Sequence, residues 1–264
     1  MGRDEASMLA IERKNEILAK LRAEQRVLVS ELSAHYGVTE ETIRRDLDKL
    51  EKEGYATKTY GGAIWGNSTK ADLSNTIRKK TNVDAKRAIA LEVAAIVEDG
   101  DHIMLDDSST SLYIARQLKD KKHLTVITNS IEIIVELAPI EGWTIMSTGG
   151  TLKPDSLALI GHQAQQTLLN YHVDKAFISC KGIDRENGVT DSSEHHSLNK
   201  QAMIRSARQT FLCLDDSKFD KTSFVRITAF PALAAVVTNE APDAEWQQFF
   251  REIKLPCIFP ADTF

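Results

Sequence analysis

The residues best placed to do chemistry in this chain are hydroxyls and cations set in turns. Asp106-Asp107-Ser108-Ser109-Thr110 leaves the apolar run HIML and opens the helical pattern SSTSLYIARQLK. Backbone N–H groups at a helix N-terminus, beside three hydroxyls, make a site for a phosphate oxyanion. The same hydroxyls can equally cap the helix itself, and the residues leave both readings standing. Four further turns follow short β-rich runs: Thr128-Asn129, Thr148-Gly149-Gly150, Lys181-Gly182-Ile183-Asp184 and Asp215-Asp216-Ser217-Lys218. In an open α/β sheet such turns meet beyond the carboxyl ends of the strands. An ammonium at Lys218 then faces the same pocket as the hydroxyl turn. A phosphate, a few sugar hydroxyls and a fixed Asp/Lys pair suit this assortment, whereas an apolar ligand or a metal ion suits it poorly. Glu194, His195 and His196 do not change that, because adjacent histidines at a helix start rarely coordinate one ion. No metal and no cofactor are expected.

A second group of charges lies in TEETIRRDLDKLEKEG, Thr39 to Gly54. Thr39 is a good N-cap, Glu40 and Glu41 place carboxylates in the first turn, Lys49 and Lys52 come late, and Gly54 is a natural stop. Ile43, Leu47 and Leu50 form one narrow apolar stripe. At roughly 100° per residue, Thr42, Arg45 and Lys49 gather on the outer flank and Arg44 projects from the other side. Taken alone this is either a charged surface helix or a helix that meets phosphates and base edges.

The neighbouring elements decide between those readings. Residues 8–23 are a helix, with Leu9, Arg13, Ile17 and Leu21 at four-residue steps and Ile17, Leu18 and Leu21 as its buried side. Val27 to Val29 are briefly extended, Ser30 to Tyr36 form a short helix, and Gly37 ends it. A short helix, a turn containing glycine and a second helix with outward basic residues make a helix-turn-helix. YATKTYGGAIW then reads as two extended runs about a Gly61-Gly62 turn. That is a hairpin wing, with Lys58 placed to touch backbone phosphate.

Residues 65–83 are polar and aperiodic and read as a linker, in which Arg78, Lys79 and Lys80 form a solvated basic face. From Asp84 onward, short β-rich runs alternate with amphipathic helices, the pattern of an α/β domain with a largely parallel sheet. The expected domains are therefore 1–64, a linker 65–83, and 84–264.

A chain of 264 residues, 42% hydrophobic and 27% charged, has room for this arrangement and the composition of a soluble globular protein. No apolar run reaches membrane-spanning length, and the start lacks a signal peptide's apolar core, so a cytoplasmic protein without membrane contact is expected. Cys180, Cys213 and Cys257 are too scattered for a disulfide or metal framework and read as reduced core residues. The net charge of −5 argues against a protein that coats nucleic acid, and residues 1–62 hold eleven Lys and Arg against twelve Asp and Glu. Any DNA binding must come from local placement of charge.

The run ERKNEIL…VLVSELSAHYGVTEETIRRDLDKLEKEGYATKTYGGAI resembles the N-terminal domain of the DeoR family of bacterial transcriptional regulators. The TIRRDL core, the L-x-x-x-G after it and the YGGA that follows carry the likeness, which runs without gaps over about the first 64 residues. It implies that the helix from Thr39 enters the major groove, with Thr42, Arg44, Arg45 and Lys49 as DNA contacts.

Roughly residues 84–240 resemble the family's sensor domain. The family's Asp-x-Gly-Ser/Thr-Thr appears as Asp106 to Thr110, its Thr-Asn as Thr128-Asn129, its glycine pair as Gly149-Gly150 and its Asp-x-Ser-Lys-Phe as Asp215 to Phe219; Lys86 matches a lysine of the helix leading into the sensor. The resemblance implies a domain akin to ribose-5-phosphate isomerase that binds a phosphorylated sugar. With Lys181 from its turn, the expected effector set is Lys86, Asp106, Ser108, Ser109, Thr110, Thr128, Asn129, Gly149, Gly150, Lys181, Asp215 and Lys218. Ser108 stands where the family usually has glycine, which restricts the loop and adds a hydroxyl. His196 stands where many members are acidic.

The resulting expectation is a repressor of a carbohydrate operon. It would bind operator DNA as a dimer or tetramer and be released by a phosphorylated sugar. An activator of the same build is one alternative. A sugar-phosphate isomerase with an appended DNA-binding domain is the other, with Asp184 or Glu186 as its base.

Overall fold

The computed structural model describes residues 10–52, 55–65 and 75–261. The chain divides into two compact units, Met1–Ile77 and Arg78–Phe264. Leu9 of the first stripe, the Gly54 stop and residues 66–74 of the expected linker lie outside the described residues.

The first unit runs α1 (Ala10–Glu24), β1 (Arg26–Leu28), α2 (Val29–Tyr36), α3 (Glu40–Lys52), β2 (Ala56–Thr59) and β3 (Gly62–Trp65). Ile17 and Leu21 of α1, Leu32 of α2 and Ile43, Leu47 and Leu50 of α3 are wholly buried and form one core. Arg13 points into the same interior, where its Nε donates to Asp46 on α3 at 2.7 Å. That buried pair fixes α1 against α3, and losing either partner would strand a charge. Gly37 ends α2 in the left-handed conformation at φ 62°. Thr39 then caps α3, accepting the Thr42 N–H at 3.3 Å.

The three strands pair in the order β1-β3-β2, all antiparallel. Thr59 faces Gly62 across the hairpin, so the turn is Tyr60-Gly61 rather than the expected Gly61-Gly62. Gly62 serves close approach instead, since a Cβ there would fall 2.2 Å from the Val27 carbonyl oxygen. These elements are a winged helix-turn-helix.

The expected linker is corrected at its far end. Asn75–Lys80 form a short helix, α4, and α5 (Val83–Ile96) starts almost at once. The basic triplet is not a uniformly solvated face, because Lys79 pairs with Glu132 of the second unit.

That unit continues β4 (His102–Leu105), α6 (Ser109–Gln117), β5 (Thr125–Thr128), α7 (Ile131–Leu137), β6 (Thr144–Ser147), β7 (Thr151–Lys153), β8 (Ala158–Ile160) and α8 (His162–Leu169). Then come β9 (Val173–Ile178), β10 (Gly182–Asp184), β11 (Gly188–Asp191), α9 (Glu194–Ser206), β12 (Ala207–Cys213), β13 (Val225–Thr228), β14 (Ala235–Val237), α10 (Ala244–Glu252) and β15 (Cys257–Ile258). Seven strands form one parallel sheet in the order β15-β14-β12-β9-β4-β5-β6.

Alternate residues of each strand serve opposite faces. Ile103, Leu105, Phe177 and Phe211 pack with Ile89 and Val93 of α5, Leu112 of α6 and Ile133 of α7. Met104, Ala176, Ile178 and Leu212 pack with Leu168 of α8, Met203 of α9 and Trp246 and Phe250 of α10. The chain moves outward from β4 through β5 to β6, then returns to β9 on the other side of β4. The strand order therefore reverses between β4 and β9, and a crevice is expected at their carboxyl ends. Two small antiparallel sheets, β7-β8 and β10-β11-β13, were not anticipated from the sequence.

Candidate functional site

On α3 every candidate DNA-contacting cation already has a carboxylate neighbour. Arg44 Nη2 lies 2.5 Å from Glu40, Arg45 Nε 3.4 Å from Glu41 and Lys49 Nζ 3.8 Å from Asp46. Lys58, on the wing strand β2, pairs with Asp48, and its backbone N–H donates to Glu51 at 2.8 Å. Thr42 Oγ1 sits 2.9 Å from Thr39 Oγ1. These pairs are solvent-exposed, apart from the buried Asp46 carboxylate, and exposed pairs of this kind contribute under about 1 kcal/mol. They are readily exchanged for phosphate. Tyr60 stands fully exposed at the wing tip, a residue the sequence reading passed over.

At the reversal point, Asp106 ties β4 to β9. Its backbone N–H donates to Phe177 O at 3.3 Å, and its Oδ2 accepts the Ser179 N–H at 2.8 Å. Its Oδ1 accepts from Ser111 Oγ at 2.6 Å and from the Ser108 N–H at 3.0 Å. Ser108 caps α6, accepting the Ser111 N–H at 3.0 Å. Of the two readings of that hydroxyl, the cap is therefore realised. Ser109 and Thr110 form the buried first turn of α6.

Asp107 faces a cluster drawn from three other elements. Asn129 Nδ2 donates to its Oδ1 at 3.0 Å. His196 Nδ1 comes within 2.8 Å of its Oδ2. Lys153 Nζ, from β7, lies 3.3 Å from His196 Nε2. Burial alone would push the Asp107 carboxyl up; His196, Lys200 and Asn129 outweigh it and hold that carboxyl well below the usual range.

Lys200, also on α9, is buried between Asp191, with which it pairs, and Asp106 at 3.6 Å. Burial opposes its charge, but Asp191, Asp106 and Asp107 together hold the ammonium above its ordinary value. Asp191 is lowered in turn, Lys200 outweighing burial with help from Lys181. Two acceptors in this interior have no donor among the described residues: Asn129 Oδ1 and Asn199 Oδ1. The amide nitrogens of both donate to Leu159 O, at 3.3 and 2.9 Å.

The fourth turn forms a neighbouring group. Asp215 caps the short turn Asp216–Lys218, accepting the Ser217 N–H at 3.1 Å, and also accepts Asn82 Nδ2 at 3.0 Å. Burial would raise its carboxyl, but Lys218, Ser217, Lys86 and Asn82 lower it. Lys86, an expected effector residue, is buried, and its ammonium donates to Arg78 O at 2.7 Å and to Thr81 O. Burial draws that ammonium down to about 8, against the pull of Asp215.

Thr128 Oγ1 accepts the Ser130 N–H at 3.1 Å and so works as a local cap. Gly149 and Gly150 turn the chain from β6 into β7, and a Cβ on Gly150 would meet Ile160 O at 2.6 Å. Their residue type is thus explained by the turn alone. Lys181 is half-buried beside β11, its backbone N–H donating to Thr190 O.

Nothing in the sequence pattern assigns Asp191, Lys153, Lys200 or Asn199 a role, and His196 stands out there only as a departure from the family and a poor metal candidate. A signal was present: His196, Asn199 and Lys200 share one helical face of EHHSLNK, and that face is buried. His195 is exposed, and among the described residues no three His, Cys, Asp or Glu side chains gather as metal ligands do. Asp184 accepts the N–H groups of Glu186 at 3.0 Å and Asn187 at 2.9 Å, which lowers its carboxyl. A carboxylate lowered and occupied in this way is a poor general base. The three cysteines are free; burial pushes the thiols of Cys180 and Cys257 up to about 12 and that of Cys213 well above its usual value.

A winged helix-turn-helix followed by an α/β unit with buried charged clusters at its strand ends is the build of a transcription regulator. The profile of the DeoR-like helix-turn-helix domain matches residues 13–69, and that of the DeoR C terminal sensor domain matches residues 81–240. The chain belongs to the DeoR family of transcriptional regulators. It is 42% identical over 236 residues to an uncharacterised HTH-type transcriptional regulator, YulB, of Bacillus subtilis strain 168, covering 89% of this chain and 91% of that one. The HTH-type transcriptional repressor GlcR of the same strain is 34% identical over 232 residues (88% and 89% covered). The L-fucose operon activator of Haemophilus influenzae strain Rd is 33% identical over 230 residues (86% and 91% covered). Among the described residues no helix is long and apolar enough to cross a membrane.

Proposed function

We propose that the protein represses a carbohydrate-use operon and leaves its operator when a phosphorylated sugar fills the crevice beyond β4, β5, β9 and β12. In this reading α3 lies in the major groove, with Thr42, Arg44, Arg45 and Lys49 on DNA and Lys58 of the wing on backbone phosphate. A dimer presents two such helices to half-sites about one helical turn apart. What supports the effector reading is that the Asp106–Thr110, Thr128-Asn129 and Asp215–Lys218 turns all leave the carboxyl ends of parallel strands on either side of the reversal point. The Lys218 ammonium acts on Asp215 in its own turn, and Asn129 Oδ1 and Asn199 Oδ1, which have no donor among the described residues, offer acceptors for sugar hydroxyls. The L-fucose operon activator supports the carbohydrate side of the reading, and the repressor GlcR supports its sign.

Thermal denaturation with a panel of pentose and hexose phosphates tests it. A binder at a hundredfold excess over its Kd should add about 2.7 kcal/mol to stability. Lys218→Ala should lose that shift while DNA binding stays intact. A full shift retained in Lys218→Ala would move the phosphate site elsewhere.

A further inference from the structure

The segment Arg78–Asn82, at the start of the second unit, is gripped from several directions. Tyr113 Oη donates to Lys79 O at 3.1 Å, and Glu132 pairs with the Lys79 ammonium. Lys86 donates to Arg78 O and Thr81 O. Asn82, held in the left-handed conformation at φ 49°, donates to Asp215 Oδ1 at 3.0 Å and lies 3.4 Å from Ser217 Oγ.

The origin of these groups is the informative part. Tyr113 stands one turn into α6, which begins at the Asp106–Ser108 turn. Glu132 stands in the first turn of α7, directly after Thr128-Asn129. Asp215 and Ser217 belong to the turn that carries Lys218. Two helices opened by strand-end turns, and a third such turn itself, thus each send a side chain to the same five residues.

The helix they hold cannot hold itself. α4 has six residues, far below the length at which a helix persists in water. The Lys86 ammonium sits at its C-terminal end, holding Arg78 O within the helix and Thr81 O just past it, a favourable place for a cation.

We propose that Arg78–Asn82 is the transmission element of the regulator: Tyr113, Glu132, Asp215 and Lys86 clamp it when the crevice is empty, and an anionic ligand in the crevice loosens the clamp. The inference rests on the crevice reading given above. A phosphate seated against Lys218 and the α6 N-terminus competes with the Arg78 and Thr81 carbonyls for Lys86. It also competes for the surroundings of Asp215, which hold Asn82. Freed of these partners, α4 unravels and the start of the second unit softens.

Hydrogen–deuterium exchange on the full chain, with inorganic phosphate as probe and chloride balancing ionic strength, tests this. Phosphate should slow exchange at 106–112 and 216–219. It should speed exchange at 78–86 by about tenfold, equivalent to about 1.4 kcal/mol of local stability. Slowing at the two turns with 78–86 unchanged overturns the transmission element and leaves the crevice reading intact. No response anywhere defeats the crevice reading, and the transmission element with it. In the Tyr113→Phe/Glu132→Gln variant, exchange at 78–86 should start fast and no longer respond, while the turns still slow. A full wild-type response there also overturns the proposal. Asn82→Ala, which removes one partner without touching α6 or α7, gives the same readout if the double variant folds poorly.

Discussion

Lys200→Met is expected to lower the unfolding free energy of the second unit by about 3–5 kcal/mol at neutral pH. Methionine fits the space, so the loss is electrostatic rather than a cavity effect. The buried ammonium balances Asp191 and Asp106, and its charge also helps hold Asp107 ionised. Removing it leaves buried carboxylates uncompensated.

The pH dependence follows from the directions of the shifts. Lys200 is raised, so its contribution is complete below the unfolded lysine value of about 10.4 and is lost only as pH rises through the higher folded value. Asp107 and Asp191 are lowered, so theirs is complete above about 4 and is lost as pH falls through the folded values. The variant's carboxyls, no longer balanced, take up protons earlier in an acid titration. The gap between wild type and variant should therefore be widest near pH 7 and narrow toward acid. Urea unfolding read by fluorescence in a Trp65→Phe background isolates Trp143 and Trp246 of the second unit. A gap under about 1 kcal/mol at pH 7, with unchanged m, would show that the cluster does not need its cation.

The same cluster marks where sequence reading stops. α3 was legible because one side of it alone is buried, and Ile43, Leu47 and Leu50 all reach zero exposure. The central strands were legible because a sheet covered on both faces writes itself as unbroken apolar runs such as HIML and KAFISC. Strand-to-helix turns come with that pattern, so the positions of Asp106, Ser108, Asn129 and Asp215 at strand ends were legible too. α9 gave no such signal. A helix with inward His196, Asn199 and Lys200 has the composition of a solvated one, and only partners far along the chain make that face an interior. The β7-β8 ribbon and the β10-β11-β13 sheet have strands of three or four residues, too short for alternation to register. The partners of Lys86 were not legible, because backbone carbonyls at Arg78 and Thr81 leave no trace in side-chain identity.

The Arg44→Ala/Arg45→Ala double variant is expected to bind the DNA upstream of the regulated operon about a hundredfold more weakly or worse, since each lost base or phosphate contact costs about 1–3 kcal/mol. The size of the effect comes from the charge balance. With eleven basic residues against twelve acidic ones in the first 62, little general attraction remains when two placed cations are removed. Their departure also leaves Glu40 and Glu41, now without partners, on the helix that approaches phosphate. Lys49 is a weaker substitute, because its partner Asp46 is already held by Arg13 at 2.7 Å. Adding Glu40→Gln and Glu41→Gln to the double variant should recover part of the nonspecific affinity but not the preference for the operator. Fluorescence anisotropy across a salt series separates the two, since each lost phosphate contact flattens the log–log slope by about 0.9 and a lost base contact leaves the slope unchanged. A double variant that binds as tightly as wild type, with the same slope, would remove α3 from the groove and hand recognition to the wing, where Lys58 and the exposed Tyr60 stand.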